Sequence, residues 1–155
     1  MTISVSLSSV AGGLEEVDYE SHVYLNRATG ELVTIRDEEI QMVEQGRLPD
    51  DLPDWQQDMV QMTAEVLASK EYLELPTKFE IDEYTIMERF CMSADSDWLA
   101  DELLGKIRGS GAFRRFKDTI IRHGIADQWY AYRQRAFEEI AVGWLEENGI
   151  AYVRA

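Results

Sequence analysis

Cysteine is almost absent from this chain of 155 residues: Cys91 has no second thiol to join. No internal disulfide holds the fold, and a reducing, cytoplasmic compartment is the expected location. Histidine is nearly as scarce. His22 and His123 lie about a hundred residues apart, and Cys91 has neither Cys nor His nearby, so a zinc motif is excluded and no metal or cofactor is expected. Three prolines and ten glycines are too few for a low-complexity or collagen-like chain. Long apolar runs are missing too. The longest uncharged stretch, Met1 to Leu14, is shorter than the roughly 20 residues that span a bilayer, is studded with serine, and lacks the Lys or Arg that opens a signal peptide. No targeting or membrane segment is expected.

Positive charge is the remaining scarcity. Fifteen basic against 30 acidic residues give a net charge of -15, which opposes nucleic acid and anionic membranes at long range. The distribution is uneven. Residues 1–105 hold 24 acids and 6 bases, whereas residues 106–155 hold 6 acids and 9 bases. Lys106, Arg108, Arg114, Arg115, Lys117 and Arg122 crowd one stretch against a single Asp118. The preferred reading is that this basic island folds back onto the acidic part and is neutralised within the molecule.

What is present is ordinary globular material, 45% apolar and 29% charged, enough for one domain over residues 1–155 with a core shared by both halves. Ile3, Val5 and Leu7 alternate like a strand, and Leu7, Val10, Ala11, Leu14 and Val17 follow at helical spacing despite Gly12 and Gly13. Two β-rich runs, 22–26 and 31–36, flank a turn closed by Gly30 and predict a hairpin. Asp37 is positioned to cap a short helix ending near Gly46, with a loop over 47–53. Asp54 and Gln57 have capping-box spacing before a helix whose inner face is expected to carry Trp55, Met59, Met62 and Val66. Residues 72–75 read as a third strand beside the hairpin. Helices follow around Tyr84–Cys91, around Ala100–Ile107, after Gly111 with Phe113, Phe116 and Ile120 inward, and from about Asp127 to Glu147 with Trp129, Tyr132, Phe137, Ile140 and Trp144 inward. Residues 150–153 suit an edge strand. The fold class is therefore α+β, helix-dominated, with a small antiparallel sheet built on an N-terminal β-hairpin.

Constellations for chemistry are sparse. A nucleophile would be Cys91 with His22 or His123, but Cys91 sits on the apolar side of its helix and reads as an inert hydrophobe. Acid pairs such as Asp50-Asp51 and Asp95-Asp97 lack the pattern of a calcium loop. Gly109-Ser110-Gly111 opens a helix bearing Arg114 and Arg115, as an anion site would, but no strand precedes it and no Walker lysine follows. A tight helix-to-helix turn is the preferred reading. Tyr130 and Arg133 lie off the main stripe of the last helix, where an exposed aromatic patch would be sought.

The segment Gly111-Ala112-Phe113-Arg114-Arg115-Phe116-Lys117-Asp118, with Trp129, Tyr132 and Trp144-Leu145-Glu146-Glu147-Asn148-Gly149-Ile150, resembles uncharacterised protein family 158 of bacteria. Tyr24-Leu25-Asn26, Thr29-Gly30-Glu31, and the stretch from Asp82-Glu83-Tyr84 to Met87-Glu88-Arg89-Phe90 are similar to its other marked segments, so the likeness spans most of the chain. Gly12-Gly13 departs from its glycine-poor first helix. The resemblance implies a small, soluble bacterial protein and carries over no catalytic or binding residue. The residues themselves point to a non-enzymatic interaction or regulatory protein. It would bind another protein through the Gly109–Arg122 region or the acidic face, with Gly109, Gly111, Arg114, Arg115, Lys117, Tyr130 and Arg133 as candidate contacts. Two alternatives stand beside it: nucleic-acid binding by the basic helix start, and mimicry of nucleic acid by the acidic face.

Overall fold

The computed structural model describes residues 3–46 and 52–155. The expected loop over 47–53 lies outside them except for Leu52 and Pro53. Helices make up 61% of the structure, beside a three-stranded antiparallel sheet and a parallel pair of strands. The α+β, helix-dominated reading therefore holds. The chain divides into two compact units, Met1–Ile81 with Ile140–Ala155, and Asp82–Glu139.

The first unit begins with strand β1 (Ser4–Ser6) and helix α1 (Leu7–Glu16). The Ser6 hydroxyl caps that helix by accepting from the Ser9 amide at 3.3 Å, and Leu7, Val10, Ala11 and Leu14 form its buried stripe. The double glycine does not break it. A Cβ on Gly13 would meet Leu75, Leu32 and Val23 side-chain carbons at 3.2, 3.4 and 3.5 Å, so the missing side chain lets the helix lie close on the sheet. That sheet has the order β3-β2-β4, with β2 (Ser21–Asn26), β3 (Leu32–Arg36) and β4 (Tyr72–Glu74). Leu25 faces Leu32 on one side and Leu73 on the other, and Gly30 closes the hairpin at φ +80°.

Helices α2 (Asp37–Gln45) and α3 (Asp54–Ala68) follow. Neither expected side-chain cap forms. Arg36 and Pro53 occupy the N-cap positions without a side-chain bond, and the Asp37 carboxylate instead accepts from His22 Nε2 at 2.7 Å. The inner face of α3 keeps Val66 as expected, but Gln56, Val60 and Thr63 take the inward places expected for Trp55, Met59 and Met62. Gln56, Val60, Thr63 and Val66 are buried while Trp55 is exposed. The buried polar groups find local partners: Thr63 donates to the Met59 carbonyl at 2.7 Å and Gln56 to Glu38 at 3.2 Å. After the short helix α4 (Lys78–Ile81), the unit is completed by the end of the last helix and by β5 (Ala151–Val153). The final strand pairs in parallel with β1, Val5 opposite Tyr152, where only an edge strand was expected. Trp144 Nε1 donates to the Glu74 carbonyl at 3.1 Å, occupying a backbone acceptor of the edge strand β4.

The second unit contains α5 (Glu83–Met92), α6 (Asp97–Lys106), α7 (Ala112–Arg122) and most of α8 (Ala126–Glu147). Its core is an aromatic cluster in edge-to-face contact. Phe90 lies 6.0 Å from Phe116, 5.3 Å from Trp129 and 5.4 Å from Tyr132, and Phe116 lies 4.9 Å from Trp129. Met87, Cys91, Leu103 and Ile120 are buried in the same unit. Phe113 is not: Ala112, Phe116, Thr119 and Ile120 form the inner face of α7 and leave Phe113 43% exposed. Burial pushes the Cys91 thiol up to about 11, so at pH 8 only about one molecule in a thousand carries a thiolate. A disulfide reagent should therefore leave the native chain unlabelled at that pH and label it on unfolding in urea. Rapid labelling in plain buffer would contradict a sealed core.

Candidate functional site

The basic island is built around one arginine that binds backbone. Gly109 and Gly111 both adopt φ +77°, a left-handed conformation that turns the chain sharply between α6 and α7. Arg115 reaches back across this turn. Its Nε donates to the Lys106 carbonyl at 2.9 Å, its Nη1 to the Ser110 carbonyl at 2.5 Å, and its Nη2 to the Arg108 carbonyl. Lys106 is the last residue of α6, so the guanidinium sits at the negative end of that helix and satisfies a carbonyl left free by the helix terminus.

The remaining cations divide into two groups. At the far end of α7, Arg122 lies 3.7 Å from Glu102 of α6, and His123 Nε2 lies 2.9 Å from the same carboxylate, off the line an aligned hydrogen bond requires. Trp98, 68% exposed, contacts His123 edge-on at 5.8 Å. Lys106, Arg108, Arg114 and Lys117 meet no carboxylate among the described residues. Among the described residues only Arg122 of the island's six members meets an acid, Glu102, so the expected neutralisation by the acidic part of the chain is not seen for the other five.

On α7, Arg114, Lys117 and Ile121 recur at i, i+3 and i+7, with Phe113 four before Lys117 and eight before Ile121. Helical geometry places all four on one outward face, and Ile121 is 68% exposed. Two apolar side chains therefore share this face with two cations that meet no carboxylate among the described residues. The expected contacts on α8 differ from each other. Tyr130 is 54% exposed. Arg133 is engaged, donating from Nε to Glu83 at 2.5 Å and lying 4.3 Å over the Phe137 ring. Sequence reading overlooked a second exposed aromatic pair, Tyr19 and Phe79, whose rings contact at 5.1 Å. No periodic stripe marks it.

Catalytic geometry is thin. Both His22 nitrogens face carboxylates, Asp37 at 2.7 Å and Glu74 at 3.4 Å, leaving neither for a nucleophile. His123 faces Glu102, not the thiol of Cys91 in its own unit. No group of three or more His, Cys, Asp or Glu among the described residues is placed to hold a metal ion. No described helix is long and apolar enough to cross a membrane.

Fold and surface together define a helix-dominated α+β protein that presents an amphipathic, cationic helix face. The chain belongs to the Uncharacterised protein family (UPF0158), which it matches over residues 7–155. No curated protein and no solved structure matches it.

Proposed function

We propose that the chain is a cytoplasmic, non-enzymatic interaction protein that docks an acidic, partly apolar segment of another protein on the outward face of α7. The observation that carries this reading is the company of Phe113 and Ile121, both exposed, with Arg114 and Lys117, which pair with no acid among the described residues. Magnitudes assign the roles. Burying an exposed Phe or Ile contributes about 1.5–3 kcal/mol, whereas an exposed ion pair contributes about 1 kcal/mol or less. Phe113 and Ile121 would therefore supply affinity, and the cations orientation and encounter rate. A protein partner is favoured over nucleic acid by the net charge of -15 and by Ile121, which has no π face on which a base can stack. The buried thiol of Cys91 suits a reducing compartment.

The test is affinity capture at low salt with the full chain, repeated with Arg114→Glu/Lys117→Glu and with Phe113→Ser/Ile121→Ser. The expected partner is an acidic protein retained by the native chain, lost from both variants, and bound more slowly as salt rises. A partner that both variants retain, or a captured nucleic acid, refutes the reading.

A further inference from the structure

In the second unit a hollow of about 300 Å³ lies between α5 and α8, lined by Ile86, Arg89, Tyr132, Arg135, Ala136 and Glu139. Helical periodicity brings these residues together. Tyr132, Arg135, Ala136 and Glu139 recur at i, i+3, i+4 and i+7 on α8, and Ile86 and Arg89 are three apart on α5, so each set occupies one face of its helix. Ile86 is buried, and the Tyr132 ring is held edge-on against Phe90 at 5.4 Å.

The polar groups are left open by the chain itself. The side chains of Arg89, Arg135 and Glu139 and the Tyr132 hydroxyl make no hydrogen bond or ion pair among the described residues. Glu139 follows Arg135 by one helical turn, the weaker order for such a pair, and the two do not close on each other. A hollow of about 310 Å³ in the first unit behaves otherwise: its Arg27 and Glu71 already face each other at 3.9 Å. Two unpaired guanidiniums against one carboxylate make the α5–α8 hollow locally positive in a chain of net charge -15.

We propose that this hollow binds a small organic anion, a carboxylate or a phosphate ester, that also carries a hydroxyl or amino donor. Arg89 and Arg135 take the anionic group in forked, charge-assisted hydrogen bonds. Glu139 accepts from the donor, the Tyr132 hydroxyl closes the polar rim, and Ile86 and Ala136 pack against the carbon frame. A volume at the low end of ligand pockets limits the guest to metabolite size. None of these residues lies on α7, so the site and the docking face stand or fall separately.

The experiment follows amide resonances of the isotope-labelled full chain during titration with inorganic phosphate, citrate and O-phosphoserine, with ionic strength held constant by chloride. Saturable shifts confined to the lining residues of α5 and α8 are expected. Arg89→Gln and Arg135→Gln should each weaken binding about tenfold or more, and Arg154→Gln, at an exposed position outside the hollow, should leave it unchanged. Glu139→Gln should strengthen inorganic phosphate and weaken O-phosphoserine, because it removes both the repelling charge and the strong acceptor. Absence of saturable shifts with all three probes, or binding that survives both arginine variants, overturns the proposal.

Discussion

Replacing Phe116 by alanine should destabilise the protein by about 3–5 kcal/mol, the loss typical of a large aromatic removed from a core. Phe116 is 1% exposed and touches both Phe90 and Trp129 edge-on, so the substitution leaves a cavity and deletes two aromatic contacts. The surrounding rings are already in mutual contact, Phe90 with both Trp129 and Tyr132, which restricts collapse into the space. The comparison is Phe113→Ala, three residues earlier on the same helix. Phe113 is half exposed, and its loss should change stability by less than about 1 kcal/mol. Urea denaturation of the two variants measures both values. Equal losses would mean that α7 is rotated relative to the face described above, and the docking surface would disappear with it.

That pair of variants also marks where the sequence was legible. Elements defined by local chemistry were readable: alternation in the runs around Val23 and Ile35, the left-handed glycine at Gly30, and the third run at Tyr72 that pairs with β2. Which face of a helix turns inward was less so. On α7 the set Phe113, Phe116, Ile120 and the set Ala112, Phe116, Thr119, Ile120 both have helical spacing; each has three apolar members, and the bulk of Phe113 over Ala112 together with the polarity of Thr119 favours the first. The molecule uses the second, since the Thr119 hydroxyl is satisfied by the Arg115 carbonyl at 2.7 Å and costs little to bury. The same substitution of bonded polar residues for apolar ones misplaced the inner face of α3, where Gln56 and Thr63 are buried. The parallel pairing of β1 with β5 joins Ser4 to Ala151, a contact between remote parts of the chain that no local pattern encodes.

The candidate site was readable as charge and unreadable as geometry. A count of residues located the basic island but could not tell a free cation from a bonded one. Arg114 and Arg115 are chemically identical neighbours, yet among the described residues one meets no carboxylate and the other holds three carbonyls. Carbonyls carry no side-chain signature, so their partner could not be inferred from spacing. The glycines at 109 and 111 were the available signal. They permit the turn that brings the Lys106, Arg108 and Ser110 carbonyls within reach of one guanidinium. The hollow between α5 and α8 left a similar trace, a stripe from Tyr132 to Glu139 that mixes charge with apolar residues and so reads as surface until its opposite wall is known.

Arg115→Ala should therefore be the costliest change in the basic island, at about 2–3 kcal/mol, even though Arg115 is only partly buried. Hydrogen bonds to a charged group contribute about 1.5–3 kcal/mol each, and three are lost here, but the freed carbonyls lie near solvent and recover part of that in water. Arg115→Lys should rescue little, because one ammonium cannot reproduce a planar fork across three acceptors. Arg114→Ala should shift stability by no more than about 0.5 kcal/mol. Urea denaturation gives the energies, and amide exchange over residues 109–112 should accelerate in Arg115→Ala alone. The contrast also separates fold from recognition. Loss of partner capture in Arg114→Glu/Lys117→Glu without loss of stability assigns those cations to contact, whereas loss in Arg115→Ala would follow from an unfastened start of α7. If Arg114→Ala proves as destabilising as Arg115→Ala, the division of labour between the two arginines is wrong.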